Sequence, residues 1–432
     1  MKNNLKRLFI GSMLAAGLLT YNNSVQAGGF NLYEFGGRAS ALAGAIVAQS
    51  ADASTVFYNP AGVAFLDNSQ FYGGVTLIFP TANFVGVSPM FDNTVHDAVQ
   101  NIFTPVGIYY AHKLNDKVGF GIGLTNPFGL GLEWEDDFPG RAISRNALVE
   151  SYYISPVVAY KVTPNFSIGV GADLVIAKID LIRNINVFDS EGSPGYDVGE
   201  VELSGSSDLS YGFSFSAQYQ AEKWSVGFMY RNGITNEFKD GDAAFAFHDD
   251  LTVPQAAAVA GALLQDQHVS TTLDFPGFFS VGASYQAMEK LRVEMDYMWF
   301  QWSVFDQLQL DFENESTPDQ TIPFDYEDSW QLRLGGEYAL NEKLDLRAGY
   351  IFDKTPQPIE SVSPLLPDDD RHDISVGIGY KTGRYVIDAG YMFVNIGERS
   401  TVENGVGMNH NGFNGTYNSR ADLFWASFGV NF

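Results

Sequence analysis

Few residues of this chain can do covalent chemistry, and those few are scattered. There is no cysteine, which removes a thiolate nucleophile, a Cys-ligated zinc site and a disulfide scaffold. The histidines, at 96, 112, 248, 268, 372 and 410, are spread along the chain, mostly at loops or strand ends. Neither HExxH nor GxSxG occurs, so neither a helical pair of zinc ligands nor a nucleophile elbow is available. Asp368-Asp369-Asp370 could hold a divalent cation, but a solvated acidic loop is the favoured reading, with Arg371 pairing one of the three. An enzyme is not expected, nor a cofactor or metal. What remains is binding. The stretch 240–267 carries Leu251, Val253, Pro254, Ala256, Ala257, Ala258, Val259, Leu263 and Leu264. At helical spacing Val253, Ala257 and Leu264 share one face. An apolar helix outside a core marks an interaction site, or it packs on a neighbouring loop.

Acidic residues number 51 against 25 basic ones, for a formal charge of -26. That balance repels phosphate backbones and argues against nucleic acid as a partner. Lys2, Lys6 and Arg7 precede an apolar run, Leu8 to Leu19, and Val25-Gln26-Ala27 is a small-residue cleavage site. Residues 1–27 therefore read as a secretory signal peptide, and its removal makes the mature chain more negative still. Beyond it no apolar stretch approaches the ~18 residues of a membrane helix.

The elements that must position any site alternate with a period of two. Phe424, Ala426, Phe428, Val430 and Phe432 share one face, opposite Trp425, Ser427, Gly429 and Asn431. Residues 343–352, 330–340 and 166–176 repeat the pattern, each a strand with one apolar and one polar or glycine face. The polar faces carry Asp173, Arg231, Arg292, Glu294, Asp296, Arg333, Glu337, Arg347 and Asp388. Tyr160, Tyr219, Trp224, Tyr285 and Tyr380 stand on the apolar faces near strand ends. Charges of both signs on one face suit the lumen of a membrane barrel with internal pairs, and the aromatics suit its girdles. A soluble sandwich is the less favoured alternative. Short turns near 115, 164, 222, 289, 342 and 383 alternate with long connections such as 186–206, 240–267, 314–325, 353–371 and 398–419. Six short hairpins plus one strand at each end make fourteen strands, and the barrel is expected over 69–432.

Residues 28–68 show no alternation and are rich in Gly, Ala and Ser. Arg38 to Val47 reads as a short helix, and Asn59-Pro60-Ala61-Gly62 as a turn. A segment this poor in large apolar groups cannot form its own core. It is expected to fold inside the lumen as a plug, with a disordered periplasmic tail as the alternative. In the third strand, 117–132, the pair Asn126-Pro127 requires a bulge or a break, because proline cannot donate to the ladder. It either kinks the strand or ends it.

The start Gly28-Gly29-Phe30-Asn31-Leu32-Tyr33-Glu34-Phe35, followed by Asn59-Pro60-Ala61, resembles the hatch of the FadL family. Asn126-Pro127-Phe128-Gly129-Leu130, Trp302-Ser303-Val304-Phe305, Asp328-Ser329-Trp330, Phe352-Asp353-Lys354-Thr355-Pro356 and Pro367-Asp368-Asp369-Asp370-Arg371 extend the resemblance over 28–432. It implies an all-β, fourteen-stranded antiparallel transmembrane barrel with an N-terminal plug (hatch), in the outer membrane of a Gram-negative bacterium. It implies passive uptake of long-chain fatty acids or related hydrophobic compounds. Capture at external loops would involve Val253, Leu263 and Leu264. Gating would involve Phe30, Gly28 and the Asn59-Pro60-Ala61 turn. Lateral exit would pass a kink at Asn126, Pro127, Phe128 and Gly129. The family's fifth-strand arginine falls on Leu181, with Arg183 two residues on and on the same face. Its other basic position falls near Ile322, which has no charge, so both a carboxylate and a neutral hydrocarbon stay open as ligands. Expected partners are a hydrophobic small molecule, the lipid and lipopolysaccharide of the outer membrane and, through Phe432, the barrel assembly machinery; a monomer suffices. The alternative function is a porin-like or adhesin-like barrel for polar solutes or surface interactions.

Overall fold

The computed structural model describes residues 28–432 apart from 88–92, 188–195, 250, 252–253, 255–256 and 258–263. The expected signal peptide, Val253 and Leu263 lie outside the described residues. Fourteen antiparallel strands pair in chain order. They are β1 (Gln70–Gly86), β2 (Val106–Lys113), β3 (Val118–Thr125), β4 (Asn146–Thr163), β5 (Phe166–Val187), β6 (Ser210–Gln220), β7 (Trp224–Arg231), β8 (Phe278–Met288), β9 (Leu291–Phe300), β10 (Ser329–Ala339), β11 (Leu344–Asp353), β12 (Arg371–Thr382), β13 (Tyr385–Ser400) and β14 (Gly415–Asn431). The sheet closes where β1 meets β14, in an unbroken register from Gln70↔Asn431 to Gly86↔Gly415. Closure gives each of these fourteen strands a neighbour on both sides, the condition for crossing a bilayer with strands.

Alternation sorts the side chains as a lipid solvent demands. Leu77, Ile122, Val158, Val170, Val226, Val281, Met295, Leu346, Val376, Ile387 and Phe424 stand exposed around the outside. In water so continuous an apolar belt would be a liability; in a bilayer it is the solvated face. The opposite face buries charges in pairs. Arg347 meets Asp388 at 2.5 Å and Glu337 at 2.6 Å, and Arg231 meets Asp173 at 3.1 Å.

The strands run further than the alternation of large apolar residues indicates. Residues 196–206 and 240–247, expected in loops, are strand and pair with each other. Here the outward positions carry Glu and Asp in place of the lipid-facing apolar residues, so the pattern fades although the ladder continues. The ninth strand, expected over 290–313, stops at Phe300. A turn of 3₁₀ helix at Trp302–Val304 follows, and the strand at Gln307–Phe312 then pairs with Gln320–Pro323.

The N-terminal segment is buried almost throughout. It contains helix α1 (Gly37–Ala41), helix α2 (Thr55–Tyr58) and a 3₁₀ turn at Pro60–Phe65. Its backbone is satisfied by side chains of the strands. Gly37 N donates to Ser427 Oγ at 2.8 Å, Val47 N to Asp296 Oδ2 at 3.0 Å, Ala48 N to Glu294 Oε1 at 2.7 Å and Ala61 N to Ser216 Oγ at 2.8 Å. The strands make room by omitting side chains. A β-carbon on Gly107 would lie 1.7 Å from the Phe35 carbonyl, and one on Gly227 would lie 2.1 Å from that of Val47. The Asn59-Pro60-Ala61 turn ties the segment together. Asn59 Nδ2 donates to Val47 O at 2.6 Å, and Asn59 Oδ1 accepts from Ala61 N at 3.2 Å.

Candidate functional site

The third strand is broken at the proline. The pairing of β3 with β4 runs to Thr125↔Tyr153 and resumes at Gly129↔Glu150, so three residues of one strand face two of the other. This is a bulge inside the strand, which continues from Gly129 to Glu133. Pro127 therefore does not end the strand. Polar side chains replace the lost ladder. Asn126 Oδ1 accepts from Val106 N at 3.0 Å, and its Nδ2 donates to Ser151 O at 2.7 Å. Phe128 N donates to Ser151 Oγ at 2.9 Å, and that hydroxyl donates to Phe128 O at 2.6 Å. The freed backbone of the bulge pairs with the start of the N-terminal segment. Leu32 N donates to Pro127 O at 2.8 Å and Gly129 N to Phe30 O at 3.0 Å.

This pairing drives Phe30 into an aromatic nest. Its ring makes edge contacts with Trp302 at 4.9 Å, Phe305 at 5.1 Å, Phe128 at 6.1 Å and Phe275 at 6.2 Å between centroids. Phe128 in turn stacks on Phe275 at 4.6 Å. Beside the nest a cavity of ≈ 360 Å³ opens at the bulge. It is lined by the N-terminal segment (Phe30, Leu32), by β1 (Ile78), by Phe103, and by Phe128 and Leu130 of the broken strand. Its polar lining includes Glu34, Asn126, Glu150, Arg371, Asp373 and Arg420.

The residue before Phe30 is clamped to a distant loop. Gly29 N donates to Asp368 Oδ2 at 2.7 Å, which also accepts from Thr355 Oγ1 at 2.6 Å, and Arg371 donates to Gly29 O. Gly28 packs on Asp353, so a β-carbon there would fall 1.9 Å from Asp353 Oδ1. The run Asp368-Asp369-Asp370 is thus a buried, hydrogen-bonded corner rather than the solvated loop expected. The chain turns it inward because Arg371 and Arg399 supply counter-charges, at 3.5 Å to Asp368 and 3.1 Å to Asp369. Burial pushes the Asp369 carboxyl up to about 8, against the opposing pull of Arg399, and the Asp370 carboxyl up to about 6. No cluster of three or more His, Asp or Glu poised around a metal occurs among the described residues.

A second cavity, ≈ 310 Å³, is lined by Arg183, Ile185, Val201, Leu203, Phe245, Leu264, Phe312 and Gln320, with other residues. Arg183 donates to Gln320 Oε1 and has no ion pair among the described residues. Leu264 packs with Leu251, Ile185 and Phe247 around buried Val198.

The structure therefore divides the sequence-derived candidates into three places. Phe30, Asn126, Phe128 and Gly129 meet at the first cavity, with Gly28 and Pro127 beside it. Arg183 and Leu264 meet at the second. Asn59, Pro60 and Ala61 touch neither; they sit against Ser167, Ser216 and Ala217. Sequence reasoning assigned no part in the site to Phe103, Gly131 or Phe275, and no role to Trp302 and Phe305 beyond their motif. Their contacts are long-range, and nothing in their local spacing signals them.

Comparison with known proteins places the whole chain. A family model described as outer membrane protein transport protein (OMPP1/FadL/TodX) matches residues 18–432. A long-chain fatty acid transport protein of Salmonella typhi is 25% identical over 397 residues, covering 87% of this chain and 89% of its own. The putative outer membrane protein NMB0088 of Neisseria meningitidis is 26% identical, covering 91% and 90%. Among solved structures, a Pseudomonas aeruginosa FadL homologue superposes with a TM-score of 0.81 at 23% identity, over 94% of this chain and 100% of that one. The Pseudomonas putida toluene transporter TodX gives 0.73 at 17%, over 94% and 100%.

Proposed function

The chain belongs to the OMPP1/FadL/TodX family of outer membrane transport proteins, and from that premise we propose that it carries long-chain fatty acids or related hydrophobic compounds across the outer membrane by passive diffusion. The observation that carries this reading is the apolar cavity at the β3 bulge, walled on one side by Phe30 and Leu32 of the N-terminal segment. An acyl chain gains ~0.8 kcal/mol per methylene removed from water, so such a wall outcompetes a wet lumen. In this scheme residues 28–68 act as the plug. The cavity with Arg183 and Leu264 is the outer capture point. Withdrawal of Phe30 from its aromatic nest opens the inner one, and the broken strand is the lateral exit, which keeps the ligand out of water. A monomer suffices in this scheme, since each protomer encloses its own route.

Deleting residues 28–32 tests the gate. Uptake of a labelled fatty acid by cells carrying the variant should change markedly relative to the intact chain, because the deletion removes Phe30 and the pairing of Leu32 with Pro127. Unchanged uptake would refute gating by the N-terminal segment.

A further inference from the structure

The seam between β2 and β3 parts above the bulge. Below it the two strands are in register from Lys113↔Gly119 to Ile108↔Leu124. The last tie is Val106 N to the Asn126 side chain, and the next lie above the parting, where Asn101 Nδ2 donates to Glu133 Oε2 at 2.8 Å and Val99 N to Glu133 O at 2.8 Å. Between these ties the chain leading into β2 turns to β1 instead: Ile78 N donates to Phe103 O at 2.8 Å, and Phe103 N to Ile78 O at 3.0 Å. Pro105 holds this stretch extended, and Thr76 N caps it by donating to Pro105 O at 3.0 Å.

One side chain crosses the parting. The ring of Phe103 lies on Gly131, where a β-carbon would fall 1.9 Å from its Cζ. The position of Gly131 is informative. Below the bulge the membrane face of β3 carries Phe120, Ile122 and Leu124, and the same face continues above it as Gly129, opposite Glu150, and Gly131, opposite Leu148. The side chains therefore stop where the strand breaks. Leu32 fills the space over Gly129, 2.9 Å from the place of its missing β-carbon, and Phe103 fills the space over Gly131. Phe103 is half-buried and, like Leu32 and Ile396, packs on a buried cluster that includes Ile78, Val394 and Leu423. It lines the cavity with residues of both wall faces, among them Thr81 and Tyr152 on the outward positions of β1 and β4.

We propose that Phe103 is the door of this lateral opening and Gly131 its seat, so that the side chain at 103 sets the width of ligand that passes. This rests on the transport reading above and adds a size-determining residue distinct from the N-terminal gate. Phe103 sits on a different segment from Phe30 and is held by β1, so the two obstructions act separately. A linear chain passes beside the ring. A fused-ring or heavily branched ligand does not until the ring swings off Gly131.

The test compares uptake of radiolabelled oleate and pyrene by Gram-negative cells that lack a transporter of this family and carry the intact chain, Phe103→Ala, Gly131→Ala, the double variant, or an empty vector, because apolar probes enter a bare phospholipid vesicle without protein. Heat-modifiable electrophoretic mobility verifies folding of each. The pyrene-to-oleate ratio should rise about tenfold for Phe103→Ala, the order reached when a steric block of this size is lifted. Gly131→Ala should also shift the ratio, by displacing the ring, and should have no effect in the Phe103→Ala background. An unchanged ratio in folded Phe103→Ala, or a Gly131→Ala effect that survives without Phe103, overturns the door while leaving transport intact. If cells with the intact chain take up neither probe above the empty-vector cells, the transport reading fails and the door with it.

Discussion

Asp173 and Arg231 face each other across the buried side of the wall, and their surroundings decide what each side chain is worth. Asp173 Oδ1 accepts from Ser155 Oγ at 2.5 Å and from Arg231 Nη1 at 3.1 Å, while the guanidinium lies 4.5 Å from the centre of the Phe57 ring. Removing one partner leaves a charge buried without its counter-ion, which costs ~3–5 kcal/mol. Asp173→Ala should therefore lower the urea midpoint in detergent micelles sharply, and Asp173→Ala with Arg231→Met should recover most of the loss. Arg183 differs in kind. Its partner is neutral Gln320, and it lines a cavity with Leu203, Phe245 and Leu264. A guanidinium in that position is suited to receive a carboxylate. Arg183→Ala should weaken binding of oleate by about tenfold or more, the scale of a lost charge-assisted hydrogen bond, and leave a neutral alkane of similar length unaffected. Equal effects on both ligands in a fluorescence displacement assay would exclude the head-group role. Phe30 could be nominated from sequence because it is the first large apolar residue after the expected cleavage site. Phe103 could not, because its partner Gly131 meets it only across the break.

At the scale of elements, the β3 bulge and the loop 354–370 are the parts most open to perturbation. The bulge is stitched on both sides by Asn126. Asn126→Ala leaves the Val106 N–H and the Ser151 carbonyl without these partners, at ~1–3 kcal/mol for each group stranded from water. Hydrogen exchange at Val106 should quicken in that variant while β10 to β12 stay protected. The loop is held by acids whose titration is readable. The Asp369 and Asp370 carboxyls, raised to about 8 and about 6, lie above the ordinary carboxylate value. The folded loop therefore binds more protons than the unfolded chain between pH ~4 and ~8, and its stability falls as pH rises through that window. Limited proteolysis within 354–370 should be slower at pH 5 than at pH 8, and Asp369→Asn should flatten the difference. A loop cut equally fast at both values would show that these acids do not control it.

For the molecule as a whole, the closed wall and the proposed plug set the expected permeation behaviour. The backbone of residues 37–61 hydrogen-bonds to strands from β5 to β14, and on the plug reading this segment blocks the axial path. In planar bilayers the intact chain should show conductance far below that of an open porin, and removing residues 28–68 should raise it severalfold. Conductance of porin size in the intact protein would favour the polar-solute alternative and count against a plug.

The strand count was legible in the sequence because lipid on one side and polar groups on the other impose a rule on each strand separately: alternate residues, one face apolar. Pairing in chain order then adds little choice, and the closing contact of β1 with β14 follows. Above the membrane that rule lapses, which is why 196–206 and 240–247 read as loops and are strands. The sequence also marked Pro127 as a break but left open whether the strand ended there. Tertiary structure decided it, since Asn126, Ser151 and the backbone of Phe30 and Leu32 supply what proline cannot. The same holds for Asp368. A run of three acids reads as a solvated loop until Arg371, Arg399 and the Gly29 amide, 339 residues away along the chain, are brought to it. Periodicity is local and survives in one dimension. Counter-charges, the seat beneath an aromatic ring and the walls of a cavity come from segments far apart in sequence, and only the closed barrel brings them together.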